Sequence, residues 1–221
     1  MFTLQNNKWA KSGNGSDRHE GNVIGIDMGG KASNFAVCVS SYGEIDRFGS
    51  AELEELCQKA LTDESVRKGM YSYFFYHTEK MMLKWKRDGV TDVFVGCCRG
   101  NYLQLVNWDE NNILIKSAAY FLFTTALREL GKETGIRVDA KADESYTSVA
   151  CSLTSDYMPI FDEKVTTIKW GGDRHGGLYI TKTHLVLDAD VNGAANIIRK
   201  NGFDLNLPLE CDFRREIRSM V

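Results

Sequence analysis

The chain has 221 residues, 43% of them hydrophobic and 26% charged, with 27 Lys and Arg against 30 Asp and Glu for a formal net charge of −3. That composition builds a core, which excludes disordered and low-complexity classes, and its slight acidity excludes a broadly basic nucleic-acid binder, since neutralising phosphates needs surplus Lys and Arg. Two Pro against 20 Gly point to regular elements joined by tight turns.

Residues 1–22 lack the apolar run of a signal peptide or membrane span and read as a poorly ordered leader. From Val23 to Met28 a β-branched run ends at Gly29-Gly30, the mark of a buried strand. Phe35 to Val39 and Glu44 to Phe48 extend it into an antiparallel three-strand meander. Helices are expected over Ala51 to Lys59, over Tyr71 to Lys86 with Phe74, Met81 and Trp85 at helical spacing, and over Ser117 to Lys132. Val93 to Gly96 reads as a short buried strand, and Ile136 to Ala140 as another. The last third reads as irregular until a helix from about Val191 to Lys200, stopped by Asn201-Gly202. The class is α/β with a mixed central sheet flanked by helices.

Six cysteines, including the adjacent Cys97-Cys98, make no Cys-x-x-Cys pair, which fits a reduced, cytoplasmic protein without structural zinc. Three acidic residues stand at element boundaries: Asp27 ends the first strand, Glu144 follows the last, and Asp190 opens the final helix. Carboxylates brought together by folding suit Mg2+ or Mn2+, which takes hard oxygen ligands. Two such ions about 4 Å apart activate a water and stabilise the leaving oxygen of a phosphodiester. Taken one at a time, the same residues suit a turn, an exposed charge and a helix cap. Asp188 competes with Asp190 for the helix start, and one of the pair capping while the other ligates is open.

The surrounding strings narrow this. Gly25-Ile26-Asp27-Met28-Gly29 resembles the first RuvC motif of the TnpB-like transposon nucleases, relatives of type V CRISPR effectors. Asp143-Glu144-Ser145-Tyr146-Thr147-Ser148 resembles their second motif, and the run Asp188 to Lys200 their third. The resemblance spans about Val23 to Lys200. It implies an RNase H-like (RuvC) fold, a triad of Asp27, Glu144 and Asp190 that both ligates metal and catalyses, and RNA-guided DNA cleavage. It also implies a nuclease domain over 23–202, an irregular zinc-free insert at about 149–180 and a C-terminal tail over 203–221. The resemblance leads to the expectation that the guide- and target-binding parts usual before the family's first motif are not supplied by residues 1–22. Recognition would then come from a second subunit, a second copy of the chain or a bound guide RNA, and no membrane is involved.

Further readings follow the same frame. Tyr157-Met158-Pro159-Ile160-Phe161 is expected to replace zinc as the insert's local core. Arg174 and His175 are candidate phosphate contacts, with an exposed loop as the plainer reading. Tyr146 and Thr147 are candidates to orient Glu144, and Asn192 with Asn196 either to set amides beside Asp190 and nucleic acid or to form an exposed polar face. Arg214, Arg215 and Arg218 read as nucleic-acid contacts or a solvated tail. Two rivals stay open: a non-cutting RNase H-like binding subunit, and an actin-like sugar kinase, suggested by Ile24-Gly25-Ile26-Asp27-Met28-Gly29-Gly30-Lys31.

Overall fold

A computed structural model describes residues 21–31, 34–60, 62–97, 110–160, 163 and 167–219. The expected leader, Cys98 and Phe161 lie outside the described residues, apart from positions 21 and 22.

Five strands form the central sheet: β1 (Asn22–Lys31), β2 (Asn34–Ser40), β3 (Ile45–Phe48), β4 (Val90–Cys97) and β5 (Arg137–Asp143), in the order β3-β2-β1-β4-β5. β1, β2 and β3 are the antiparallel meander, while β4 lies parallel to both β1 and β5. Parallel neighbours need long crossovers. Here the chain makes them with helices, α1 (Ala51–Ala60) and α2 (Glu64–Arg87) between β3 and β4, and α3 (Glu110–Thr134) between β4 and β5. Asp63 caps α2 by accepting the Ser65 amide, and Gly135, at φ +79°, ends α3 in a conformation that suits glycine.

Strand alternation divides the sheet into two faces. Ile24 and Ile26 of β1 with Val93 and Val95 of β4 join Phe74, Met82 and Trp85 of α2 and Phe123, Leu127 and Leu130 of α3 in one core. Val23, Phe94 and Ala142 face the other way, into a second core with α4 (Ala189–Lys200). Asp27 continues the row Val23, Gly25, and Glu144 extends that of Ala142, so both acidic positions fall on the α4 face.

The last third is more ordered than its sequence suggests. β6 (Gly172–His175), β7 (Leu178–Thr181), β8 (Leu185–Asp188) and β9 (Arg218–Ser219) form a second, antiparallel sheet. The 203–221 segment carries α5 (Asp212–Glu216) as well as β9, and it buries Cys211 and Phe213 in the second core. Among the described residues, no helix is long and apolar enough to cross a membrane.

Candidate metal centre

α4 approaches β1 closely because its middle is small. Gly193 and Ala194 lie against the strand, and a Cβ on Gly25 would overlap the Ala194 carbonyl. The seam continues to the acidic end: a Cβ on Gly193 would overlap the Asp27 carboxylate. One strand away, a Cβ on Gly96 of β4 would overlap Glu144 Oε2. Two glycines thus leave the space that two of the three carboxylates occupy.

Asp188 and Asp190 divide the helix start. Asp188 Oδ1 accepts the Asp190 and Val191 amides at 2.8 and 3.1 Å, which makes it the N-cap. Asp190, two residues on in the first turn of α4, acts electrostatically on Asp27. It is held on both oxygens, by Asn34 Nδ2 on Oδ2 at 3.1 Å and by the Arg174 guanidinium on Oδ1 at 3.3 Å.

Asp190 and Glu144 both act on Asp27. Burial, then Asp190, then Glu144 push the Asp27 carboxyl up from 3.8 to about 8, against the opposing pull of Arg174. A carboxyl raised first by burial and then by two further carboxylates is one whose ionised form a cation would stabilise. The donor set is all oxygen and therefore fits Mg2+ or Mn2+. Among the described residues, no group of three or more His, Cys, Asp or Glu side chains is drawn together tightly enough to hold an ion as it stands. Arg174 pairs with Asp190 at 3.3 Å beside the buried Asp27 carboxyl.

The helix that carries Asp190 also fixes the segment that carries Glu144. Lys200 at its end pairs with Asp143 at 3.2 Å and donates to the carbonyls of Ser145 and Pro159. Asn196 Nδ2 donates to the Thr147 and Ala150 carbonyls, and Arg199 to the carbonyl of Cys151.

Asn192 corrects the reading that offered it to nucleic acid. It is fully buried, its Nδ2 donating to Ala150 O at 2.8 Å and its Oδ1 accepting from Ser152 N at 2.9 Å. Asn196 is likewise fully buried, so the exposed polar face is also corrected. The cause is the insert, which packs on the side of α4 away from β1.

The insert itself is held by polar groups. Tyr157 and Ile160 are exposed, whereas Asp156 accepts the amides of Cys151 and Gly171 at 2.9 and 2.7 Å. Thr147 donates to the Glu144 backbone carbonyl, not to its carboxylate, and Tyr146, at φ +64°, stacks on Trp170. Arg174 sits at the acidic cluster, and His175 beside it is exposed. In the C-terminal segment, Arg214 turns back onto the carbonyls of Leu207 and Pro208, and Arg215 pairs with Asp212. Asn34, Lys200 and Arg199 escaped sequence reasoning in these roles. The Lys200 and Arg199 positions lie inside the third motif, but nothing local marks Asn34.

No protein-family model matches the chain, and no curated protein matches it. Among solved structures it is similar to a Cas12f1-sgRNA-target DNA complex, at 13% identity and a TM-score of 0.47, over 82% of this chain and 51% of that one. It is also similar to a CRISPR-Cas12f ternary complex, at 14% identity and a TM-score of 0.40, over 83% of this chain and 40% of that one. The chain spans about half the length of the first and less of the second.

Proposed function

We propose that the chain is an RNase H-like, RuvC-type nuclease of the TnpB-like group that cuts DNA phosphodiesters with divalent metal, and that Asp27, Glu144 and Asp190 hold the ions. The observation that carries this reading is the packing of Asp27 against Gly193 of α4 and of Glu144 against Gly96 of β4, with Asp190 in the first turn of the same helix, all on the α4 face of a mixed sheet. The three motif strings support it independently, each supplying one of these carboxylates.

Bound Mg2+ or Mn2+ would activate the attacking water and stabilise the leaving oxygen. The chain's own residues prepare for that chemistry. Asp27 must give up its proton to ligate, Asp188 caps α4 and so fixes the helix that aims Asp190, and Lys200 braces the turn that presents Glu144. Arg174, on the exposed β6–β7 hairpin, is the cation nearest Asp190 for a substrate phosphate to meet.

With a net charge of −3, duplex binding by this chain alone is weakly supported, so recognition is assigned to a guide RNA, a partner subunit or a second copy. The test is Mg2+-dependent DNA cleavage by protein purified from its native host with its companions. Asp27→Ala, Glu144→Ala and Asp190→Ala should each abolish cutting while the fold persists. Cleavage undiminished in all three would overturn the assignment. A folded wild type that binds DNA or RNA without cutting would favour the silent binding subunit, and tight ATP binding with hexose phosphorylation the sugar kinase.

A further inference from the structure

Asp190 is gripped by two residues of opposite electrostatic character. Asn34 is a neutral donor at the first position of β2, where it pairs with Lys31 across the β1–β2 hairpin. Arg174 is a full cation on β6, with its Nε set on the Gly176 carbonyl of the same hairpin at 3.0 Å. Leu178 pairs with Asp188, and Ala189 N donates to Gly177 O, so the hairpin is docked on the start of α4 and delivers Arg174 over Asp190.

Building on the metal-centre reading above, we propose that these two contacts divide the work: Asn34 is a positioning residue that aims Asp190 at the ion, and Arg174 is an internal cation that occupies Asp190 until a divalent ion displaces it.

A carboxylate oxygen has more than one acceptor site, so the hydrogen bond that Asn34 Nδ2 donates to Oδ2 persists when metal binds, and it fixes the direction of the remaining lone pairs. A guanidinium on Oδ1 is different. It neutralises the charge that attracts the ion, and like-charge repulsion drives it off when a dication arrives. The Arg174 side chain is 37% exposed, against 25% for Asp190, so it can swing into solvent without breaking a packed core. Once released it presents a planar fork suited to a phosphate oxygen pair, at the mouth of the site. Metal entry and substrate capture are thereby linked through one side chain.

The two roles give opposite signs in one experiment: Mn2+ titration of the full chain by calorimetry and electron paramagnetic resonance, without nucleic acid. Asn34→Ala should weaken Mn2+ binding about tenfold or more, the usual effect of losing a partner that orients a ligand. Arg174→Ala should tighten it roughly tenfold by removing the competing charge, and Arg174→Lys should return it toward the wild-type value. If Asn34→Ala melts early, Asn34→Leu removes the donor while keeping the bulk and should show the same loss. General loosening of the site would weaken binding in every variant. Arg174→Ala binding Mn2+ no tighter than wild type, or either Asn34 variant binding as well as wild type, overturns the division of labour. Asp190→Ala is the reference: if it binds Mn2+ as well as wild type, the metal-centre reading fails too, whereas loss of binding in Asp190→Ala with no gain in Arg174→Ala sinks this inference alone.

Discussion

Asp188 and Asp190 stand two residues apart at the head of α4, and the carboxylate of the first accepts the backbone amide of the second at 2.8 Å. The cap thereby fixes the first turn of the helix and leaves the Asp190 carboxylate to Asn34 and Arg174. Asp188 Oδ2 also lies 3.5 Å from Arg47 of β3, so the helix start is tied to the meander as well.

From this division, Asp188→Ala should lose about 1 kcal/mol of stability, the usual value of an N-cap. Asp190→Asn should leave metal-free stability within about 0.5 kcal/mol, because it removes a charge that presses on Asp27 along with its Arg174 pair. Urea denaturation of both variants in chelator distinguishes the two roles. Equal losses would contradict the assignment.

The raised Asp27 carboxyl sets a pH dependence. The native group titrates near 8 and the unfolded one near 3.8, so between these values the folded state keeps a proton that the unfolded state has lost. Stability in chelator should therefore fall as pH rises through that window and level off above it. Asp27→Asn should flatten this component of the melting-temperature profile. Because the proton must leave before the carboxylate can ligate, stabilisation by Mg2+ should grow with pH up to about 8.

Gly193 offers a test against helix propensity. In an ordinary helix interior, Gly→Ala gains about 1 kcal/mol. Here the new Cβ would overlap the Asp27 carboxylate. Gly193→Ala should destabilise the protein and weaken Mn2+ binding. A variant both more stable and fully competent would show that the seam is looser than described.

The α4–insert contact combines an apolar part, with Cys151 in the second core and Leu153 packed against it, and a buried polar part centred on Asn192 and Asn196. Asn192→Ala strands the Ala150 carbonyl and the Ser152 amide in a buried place, at a cost of about 1–3 kcal/mol. Limited proteolysis should then open the chain within 150–171 sooner than in wild type, whereas zinc chelators should leave the wild-type cleavage pattern unchanged.

Much of this architecture was legible in the residues. The β1–β3 meander announced itself through apolar runs broken at Ser40 to Gly43 and at Gly49, and α2 through the recurrence of Phe74 and Trp85. The fully buried methionine of that face is Met82, whereas Met81, the one expected, is only partly buried against the same core. The second sheet was not legible. β6, β7 and β8 have four residues each, too few for alternation to register, and Gly-Asp-Arg-His has little strand character of its own. It is a strand because β7 pairs with it, and β7 is anchored by buried Tyr179, whose hydroxyl donates to Val149 O at 3.1 Å.

The site divides in the same way. Asp27, Glu144 and Asp190 stood out because the sequence places each at an element boundary, although β1 runs on past Asp27 to Lys31. Asn192 and Asn196 were read at the right spacing but given the wrong surroundings. Val191, Ala194 and Ile198 mark only one apolar side of α4, and nothing in the sequence tells that the insert buries the other. Asn34 acquires its role only through the hairpin that brings it across 156 positions to Asp190.

The most direct test of the metal centre is an anomalous-difference map from crystals soaked in Mn2+ near pH 8. The account predicts manganese density among the carboxylates of Asp27, Glu144 and Asp190, with Arg174 moved off Asp190. Saturating Mn2+ with no density there, and the Arg174–Asp190 pair intact, would contradict it.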